Sequence, residues 1–116
     1  MHERSIVQTL LRQVSELARE QGDVRVVAIR MSVGEFSGVE PESLQLAYED
    51  MVGETPLAGA ELTVERVPLE ARCEACGREY VVEAFRFECP ACHGREAAVI
   101  RGEEMMLESV TVEQPD

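Results

Sequence analysis

The feature that most constrains how this chain can fold is a pair of C-x2-C motifs. Cys73 and Cys76 form the first motif, and Cys89 and Cys92 form the second after twelve intervening residues. Two such motifs that fold back on each other place four thiolates at the corners of a tetrahedron, which is the geometry of a closed structural zinc site. We therefore predict that these four residues bind a structural Zn²⁺, which stabilises residues 69–101, a segment too short to bury a core of its own.

Two other interpretations of the cysteines fit the sequence less well. A disulfide or redox pair is disfavoured because two motifs coincide and no thioredoxin-like pattern surrounds either. The run from Cys89 to His93 matches the C-x-x-C-H pattern of haem attachment, but haem would leave the first motif unexplained. His93 is expected in a turn beside the second motif, where it is also a candidate modulator of the zinc site. Gly77 and Gly94 are predicted to supply the positive φ angles that such turns need.

The charge of the chain limits its partners. Acidic residues outnumber basic ones by 23 to 11, which gives a net charge of −12. Such a molecule repels phosphate backbones and anionic membranes, so we expect neither nucleic acid nor a membrane as a partner. The sequence shows no signal peptide, transmembrane run or lipidation motif. Because paired cysteines without an export signal indicate metal ligands rather than disulfides, we expect a cytoplasmic protein.

Hydrophobic periodicity predicts two helices and two long strands before the cysteine motifs. A helix over residues 4–21 has its apolar face at Ile6, Val7, Leu10, Leu11, Val14, Leu17 and Ala18. A strand over 24–33 alternates, with Val27, Ile29, Met31 and Val33 on one face and Val26, Ala28, Arg30 and Ser32 on the other. After a loop at 34–38, Pro41 begins a second helix, whose buried stripe is Leu44, Ala47, Tyr48 and Met51. A half-buried strand follows over 60–67.

The second half of the chain changes character at the cysteines. Short strands are predicted at 79–82, 85–87 and 97–100. A final strand after Gly102 changes its alternation, which predicts a bulge near Glu108 or Ser109, or a change of packing partner. The predicted fold class is α+β: two helices pack on a three-stranded sheet. This domain comprises residues 1–68 and 102–116, and residues 69–101 form an inserted, zinc-ribbon-like domain.

The first three residues form a second candidate metal site. A free amino group followed by His offers the Met1 amine, a backbone amide nitrogen and the His2 imidazole to a single ion, and Glu3 can add a backbone nitrogen or a carboxylate. Square-planar nitrogen ligation suits Ni²⁺ and Cu²⁺ but not Zn²⁺. From these residues alone, a solvated terminus without a metal is the simpler interpretation.

Four segments together resemble the hydrogenase maturation nickel chaperone family, HypA/HybF. They are Met1-His2-Glu3, the run from Val33 to Leu44, the two C-x2-C pairs, and Gly102-Glu103-Glu104-Met105 at the start of the last strand. The resemblance covers essentially the whole chain, and the motifs occur in the family's order. Arg4 is less apolar than the family leads us to expect at that position.

This resemblance implies a role for each candidate site. The nickel ligand maps onto His2, with the Met1 amine and the backbone nitrogens of His2 and Glu3 as co-ligands, and the four cysteines hold a separate zinc domain. Family members pass nickel toward the large subunit of nickel–iron hydrogenase, and in some organisms toward urease. They work with a nickel-handling GTPase of the HypB type. The transported ion is then Ni²⁺ and the structural ion is Zn²⁺.

Two other function classes remain as alternatives. A zinc-ribbon module that binds nucleic acid or another protein would have the same cysteines. A nucleic-acid module needs a basic face, whereas the arginines of 69–101 are matched by at least as many glutamates. An enzyme is disfavoured because Ser37 lies one place too late for a nucleophile elbow and no Gly-rich phosphate loop is present. Glu35, Glu40 and Glu42 fit a solvated loop and helix start better than a carboxylate site.

Overall fold

The protein is described by a computed structural model that covers residues 3–114. Its elements in chain order are α1 (Glu3–Glu20), β1 (Arg25–Gly34), α2 (Pro41–Met51), β2 (Glu61–Val67), β3 (Glu70–Cys73), β4 (Glu79–Val81), β5 (Ala97–Arg101) and β6 (Met105–Glu113). The two helices and three long strands predicted from periodicity are confirmed, and each starts within about a residue of the prediction except β6, which begins at Met105 rather than directly after Gly102. A short 3-10 helix, Glu35–Ser37, replaces part of the loop expected after β1.

The first sheet has the strand order β2-β1-β6 and carries both helices. Strand β1 pairs in parallel with β2 and antiparallel with β6. The core contains Val7, Leu10 and Val14 of α1, Leu44 and Tyr48 of α2, and Ile29, Met31 and Val33 of β1. Tyr48 can be fully buried since its hydroxyl donates a hydrogen bond of 2.8 Å to the Ala60 carbonyl and so is not left without a partner. The α+β class and the three-stranded sheet are therefore as predicted.

Two expectations about buried faces are wrong. Val26, not Val27, lies in the core with Ile29. The register of β1 against β6 shifts between Val26 and Ala28, so Val27 is the extra residue of a bulge, and the alternation reverses there. Leu17, expected within the buried stripe of α1, is 39 % exposed.

The bulge predicted in the last strand is present at Glu108. Arg30 pairs with Ser109 and Met31 pairs with Leu107, so Glu108 has no partner residue. Its carboxylate accepts a hydrogen bond of 2.6 Å from the buried Ser32 hydroxyl. The extra residue puts the apolar side chains before and after it on one face of the sheet.

The cysteine segment forms a second sheet, with the strand order β4-β3-β5. Its own small core consists of Leu69, Ala71, Cys73, Tyr80, Val82 and Cys89. Strand β3 was not expected, whereas β4 and β5 were. The strand predicted at 85–87 is wrong: Ala84 and Phe85 have φ angles of 51° and 58° and form a tight turn between Glu83 and Arg86. That the two sheets belong to two domains stays a prediction.

The chain crosses between the two sheets at a tight junction. Phe36 donates a backbone hydrogen bond of 2.7 Å to the Gly102 carbonyl, and Gly34 donates one of 2.9 Å to the Glu104 carbonyl. The Leu69 amide donates to the Glu35 carboxylate at 3.3 Å. These contacts attach the end of β1 to both connections between the sheets. Two of the segments that carry the family resemblance therefore meet at this junction.

Candidate metal centre

The four cysteine sulfurs meet at one end of the second sheet. All four sulfur atoms lie within 4.8 Å of one another. Cys73 and Cys92 are 3.5 Å apart, and Cys76 and Cys89 are 3.6 Å apart. A disulfide would need about 2.05 Å, so the thiols are unbonded. Four thiolates around one zinc ion with bonds of about 2.3 Å lie roughly 3.8 Å apart, so the donor set fits a tetrahedral ion.

The first C-x2-C motif is held in a turn that begins at the end of β3. The Cys73 amide donates to the Arg78 carbonyl at 2.8 Å, and the Cys73 carbonyl accepts from the Gly77 amide at 2.9 Å. Gly77 has a φ of 80°, as predicted, because the chain must reverse within this turn. Both backbone bonds are made by Cys73, and Cys76 lies within the turn that they close.

The second motif forms the same turn, with a histidine at the position of the glycine. The Cys89 amide donates to the Gly94 carbonyl at 2.9 Å, and the Cys89 carbonyl accepts from the His93 amide at 2.9 Å. The residue with positive φ is His93, at 64°, so it takes the position that Gly77 takes in the first turn. The expectation that Gly94 supplies the positive φ is wrong.

Gly94 is needed for space instead. A Cβ atom at this position would lie 3.3 Å from the Cys92 sulfur and 3.5 Å from the Cys73 sulfur. The first of these separations is shorter than an ordinary contact, so a larger residue would press on the Cys92 sulfur, whereas the contact with the Cys73 sulfur is an ordinary one. The glycine lets the backbone approach the sulfur cluster closely.

Backbone amides at the cluster separate the pKa values of the thiols. The Cys92 amide donates to the Cys89 sulfur and lowers the pKa of Cys89 to about 6, despite the opposing effect of burial. The Cys76 amide lowers the pKa of Cys73 in the same way. For Cys92 the Gly94 amide acts to lower the pKa, but its bonds to the other thiols and burial outweigh this and raise it to about 12. At neutral pH the metal-free cluster therefore holds a thiolate at Cys89 and a proton on Cys92.

Tyr80 is a neighbour of the cluster that the sequence did not reveal. Its hydroxyl is buried and has no hydrogen-bond partner among the described residues. Burial raises the pKa of Tyr80, and so do the nearby charges of Cys73, Cys89 and Cys92. The hydroxyl therefore stays protonated and lies within electrostatic reach of the thiolates. It lies in the short strand predicted at 79–82, but no sequence signal linked it to the cysteines.

Comparison with known proteins identifies the family. Residues 1–112 match the family described as hydrogenase/urease nickel incorporation, metallochaperone, HypA. The chain belongs to this family. The Hydrogenase maturation factor HypA of Chlorobaculum parvum is 38 % identical over 113 residues, which are 97 % of this chain and 100 % of that protein. The Streptomyces avermitilis factor is 40 % identical over 112 residues, which are 95 % of this chain and 86 % of that one.

A solved structure shares the fold of this HypA family member. The solution structure of the Ni metallochaperone HypA from Helicobacter pylori superimposes with a TM-score of 0.66, at 23 % identity, over 99 % of this chain and 100 % of that one. The HypA family comprises metallochaperones and not enzymes, so the expectation that the chain is not an enzyme is confirmed. None of the helices within residues 3–114 has the length and apolar character that crossing a membrane requires.

His93 does not join the sulfur cluster in this HypA chain. Its side chain is 76 % exposed, and its Nδ1 atom lies 3.6 Å from a carboxylate oxygen of Glu88. Its position in a turn is as expected. Its role as a modulator of the metal site stays a prediction.

The predicted nickel ligands lie at the edge of the described structure. Met1 and His2 lie outside the described residues, and Glu3 is the first residue of α1 and is partly buried. Arg4, the departure from the family pattern, forms an ion pair of 2.8 Å with Asp50 of α2. A groove of about 410 Å³ beside this first turn is lined by Ile6, Ser37, Val39, Glu103, Glu104 and Met105. The start of α1 therefore lies beside the start of β6.

Proposed function

We propose that this chain binds Ni²⁺ at its N-terminus and delivers it during the maturation of nickel–iron hydrogenase. The observation that carries the proposal is the closure of the four-cysteine cluster in a member of a nickel metallochaperone family. A tetrahedral ion held by four thiolates has no open position, and such sites exchange their metal slowly. The transported nickel then needs another site, and Met1-His2-Glu3 offers one.

The ion in the cysteine cluster is Zn²⁺, with a structural role. The sulfur spacings and the soft, all-thiolate donor set of Cys73, Cys76, Cys89 and Cys92 support a tetrahedral zinc ion. The core around them is small, so metal binding contributes much of the folding free energy of this unit.

The chemistry of the first three residues suits a metal that must be released again. The Met1 amine, the His2 amide and imidazole, and Glu3 together supply nitrogen ligands in the square-planar arrangement that Ni²⁺ prefers. A few ligands at a chain terminus bind without a buried cage, so an acceptor can take the metal from them step by step. Selection against zinc then comes from geometry rather than from affinity alone.

The partners in this proposal are proteins. Nickel passes to the large subunit of hydrogenase, and in some organisms to urease, in the cytoplasm and with the help of a HypB-type GTPase. Against a nucleic-acid partner, two arginines of the cysteine segment are paired with carboxylates: Arg72 with Glu79 at 3.1 Å, and Arg101 with Glu70 and Glu79. These pairs, with the net charge of −12, leave little basic surface for a phosphate backbone.

Nickel titration of three forms of the full chain tests the proposal. The forms are the native N-terminus, a version extended by a few residues, and His2→Ala. We expect one Ni²⁺ per native chain and a loss of at least a hundredfold in affinity in the other two. His93→Ala removes the other histidine and is the matched control, with unchanged nickel affinity expected. Unchanged affinity in both the extended chain and His2→Ala would refute the N-terminal site.

A further inference from the structure

Strand β6 leaves one edge of the first sheet open. It is the outermost strand in the order β2-β1-β6, and within residues 3–114 no other strand pairs with its outer side. Its nine residues contain no proline and no basic residue, so the only protection of this edge within the strand is the bulge at Glu108 and the charges of Glu108 and Glu113. The outer amide and carbonyl groups are therefore free to pair with an extended chain.

The side chains of β6 are also unusually apolar for an open edge. Because of the bulge at Glu108, four apolar residues fall on the face that carries the helices, opposite the buried residues of β1. They are Met105, Leu107, Val110 and Val112, which pair with Val33, Met31, Ile29 and Val26. The β1 residues are at most 5 % exposed, whereas Met105, Leu107 and Val112 are at least 37 % exposed. The apolar face of the sheet thus continues beyond the cover of the helices.

Helix α1 forms the other wall of this surface. Its flank toward α2 carries Arg4, which pairs with Asp50. Ile6 lies on the other flank and lines the same groove as Met105. Leu17 follows Ile6 by eleven residues, about three helical turns, and so lies on the same flank, where it is exposed. We call the surface formed by Ile6, Leu17 and the four apolar residues of β6 the α1–β6 groove.

The charge beside the groove indicates what can occupy it. Residues 102–113 contain four glutamates, Glu103, Glu104, Glu108 and Glu113, and no basic residue. If a second copy paired its β6 antiparallel with this one, with the apolar residues facing each other, Glu103 and Glu104 would lie close to Glu113 of the other copy. Such like-charge contacts, between molecules of charge −12, oppose self-pairing. A positively charged segment gains from the same carboxylates.

We propose that the α1–β6 groove binds an extended, positively charged segment of a client protein, which adds to the sheet as a fourth strand beside β6. Backbone bonds to the open edge supply affinity, and alternate apolar side chains of the segment enter the groove. Because Ile6 and Met105 lie beside the first turn of α1, docking there brings the client close to the N-terminal site. This last consequence rests on the proposed nickel function, but the docking itself does not.

Two nine-residue peptides are suitable probes. Both have valine at alternate positions, and the remaining positions are lysine in one peptide and glutamate in the other. We expect the lysine peptide to bind the full chain saturably and to shift backbone amide resonances of β6 and of residues around Ile6 and Leu17. The glutamate peptide should bind at least tenfold more weakly.

Neighbouring residues of β6 supply matched variants. Leu107→Glu places a charge on the groove face and should weaken the lysine peptide at least tenfold. Met106→Glu adds the same charge at an exposed position on the opposite face, where the lysine side chains of the peptide lie, and should not weaken binding. Val112→Glu, at the other end of the groove, repeats the test at a second position, and amide spectra confirm that each variant keeps the native fold.

Four outcomes would overturn the proposal. They are the absence of saturable binding, resonance shifts confined to other surfaces, equal weakening by Leu107→Glu and Met106→Glu, and a concentration-dependent dimer that Leu107→Glu abolishes. Nickel titration of Leu107→Glu separates this proposal from the proposed function. If Leu107→Glu keeps its nickel affinity but no longer binds the lysine peptide, the result supports the groove proposal. If the lysine peptide fails to bind the wild-type chain while nickel still binds, the groove proposal is refuted and the proposed nickel function is not affected.

Discussion

Gly34 lies against the backbone of Gly102 so closely that a Cβ atom on Gly34 would overlap the Gly102 carbonyl group and lie 2.9 Å from the Glu103 amide nitrogen. Gly102 is confined in turn: its φ is 97°, and a Cβ there would lie 2.6 Å from the Leu69 Cα. The two glycines therefore allow the end of β1 and both connections between the sheets to pass through one small space.

We predict that Gly34→Ala destabilises the protein by about 2–4 kcal/mol, because the added methyl group meets rigid backbone rather than a flexible side chain. Denaturant unfolding followed by circular dichroism measures the change. Gly53→Ala is the matched control, since a Cβ at Gly53 meets no atom within 4 Å and its φ is ordinary. Equal stability of the two variants would show that the junction accommodates a Cβ on Gly34 without loss of folding stability.

Removal of the metal should unfold one sheet and leave the other folded. In Cys73→Ser the cluster loses a thiolate ligand, and the small core around β3 has little apolar surface to replace the metal's contribution. We expect the variant to lose its bound zinc. The backbone amide chemical shifts of residues 69–101 should then lose their dispersion, while those of α1, α2 and β1 stay as in the wild type. Ser43→Ala, at an exposed position on α2, serves as the control. Cooperative loss of both sheets would show that residues 69–101 are not a separate domain.

The long elements and the cysteine cluster were predictable because each depends on a local pattern. The bulge at Glu108 was predictable for the same reason, since the apolar residues of β6 change parity around it. The bulge at Val27 was not, because apolar residues run through both parities from Val26 to Ile29 and hide the change of phase. Periodicity shows a bulge only where polar residues mark the other face.

The remaining errors come from contacts between residues distant in sequence. The alternation around Phe85 and Phe87 is typical of a strand, but pairing of Glu83 with Arg86 turns the chain there. Tyr80 approaches the thiols only because β4 pairs with β3, so no spacing in the sequence revealed it. The close approach of Gly34 and Gly102 likewise depends on how the two sheets are joined.

Metal affinity at the cysteine cluster should rise with pH. Zinc binds thiolates, and the raised pKa of Cys92, about 12, means that this thiol must lose its proton on binding. The logarithm of the apparent affinity should therefore rise by at least one per pH unit between pH 7 and 9. Below pH 6 the slope should increase to at least two, because Cys89, with a pKa of about 6, also becomes protonated. Competition with a chromophoric chelator of known pKa, from pH 5 to 9, measures both slopes. An affinity independent of pH between 7 and 9 would contradict the protonated Cys92.

His93 should carry backbone strain that glycine relieves. Its φ of 64° costs a residue with a Cβ roughly 1–2 kcal/mol, and glycine avoids most of that at some cost in chain entropy. We expect zinc-loaded His93→Gly to be more stable than His93→Ala by about 1 kcal/mol in denaturant unfolding. Both variants lack the imidazole, so the comparison isolates the backbone. Equal stability of the two would show that the turn adapts to a Cβ without strain.

The same pair tests the predicted role of His93 as a modulator. If the imidazole tunes the site, both variants should change the zinc affinity relative to the wild type, and by the same factor, because both lack the imidazole. Zinc affinities equal to that of the wild type would leave His93 a turn residue only, as its exposure and its contact with Glu88 favour.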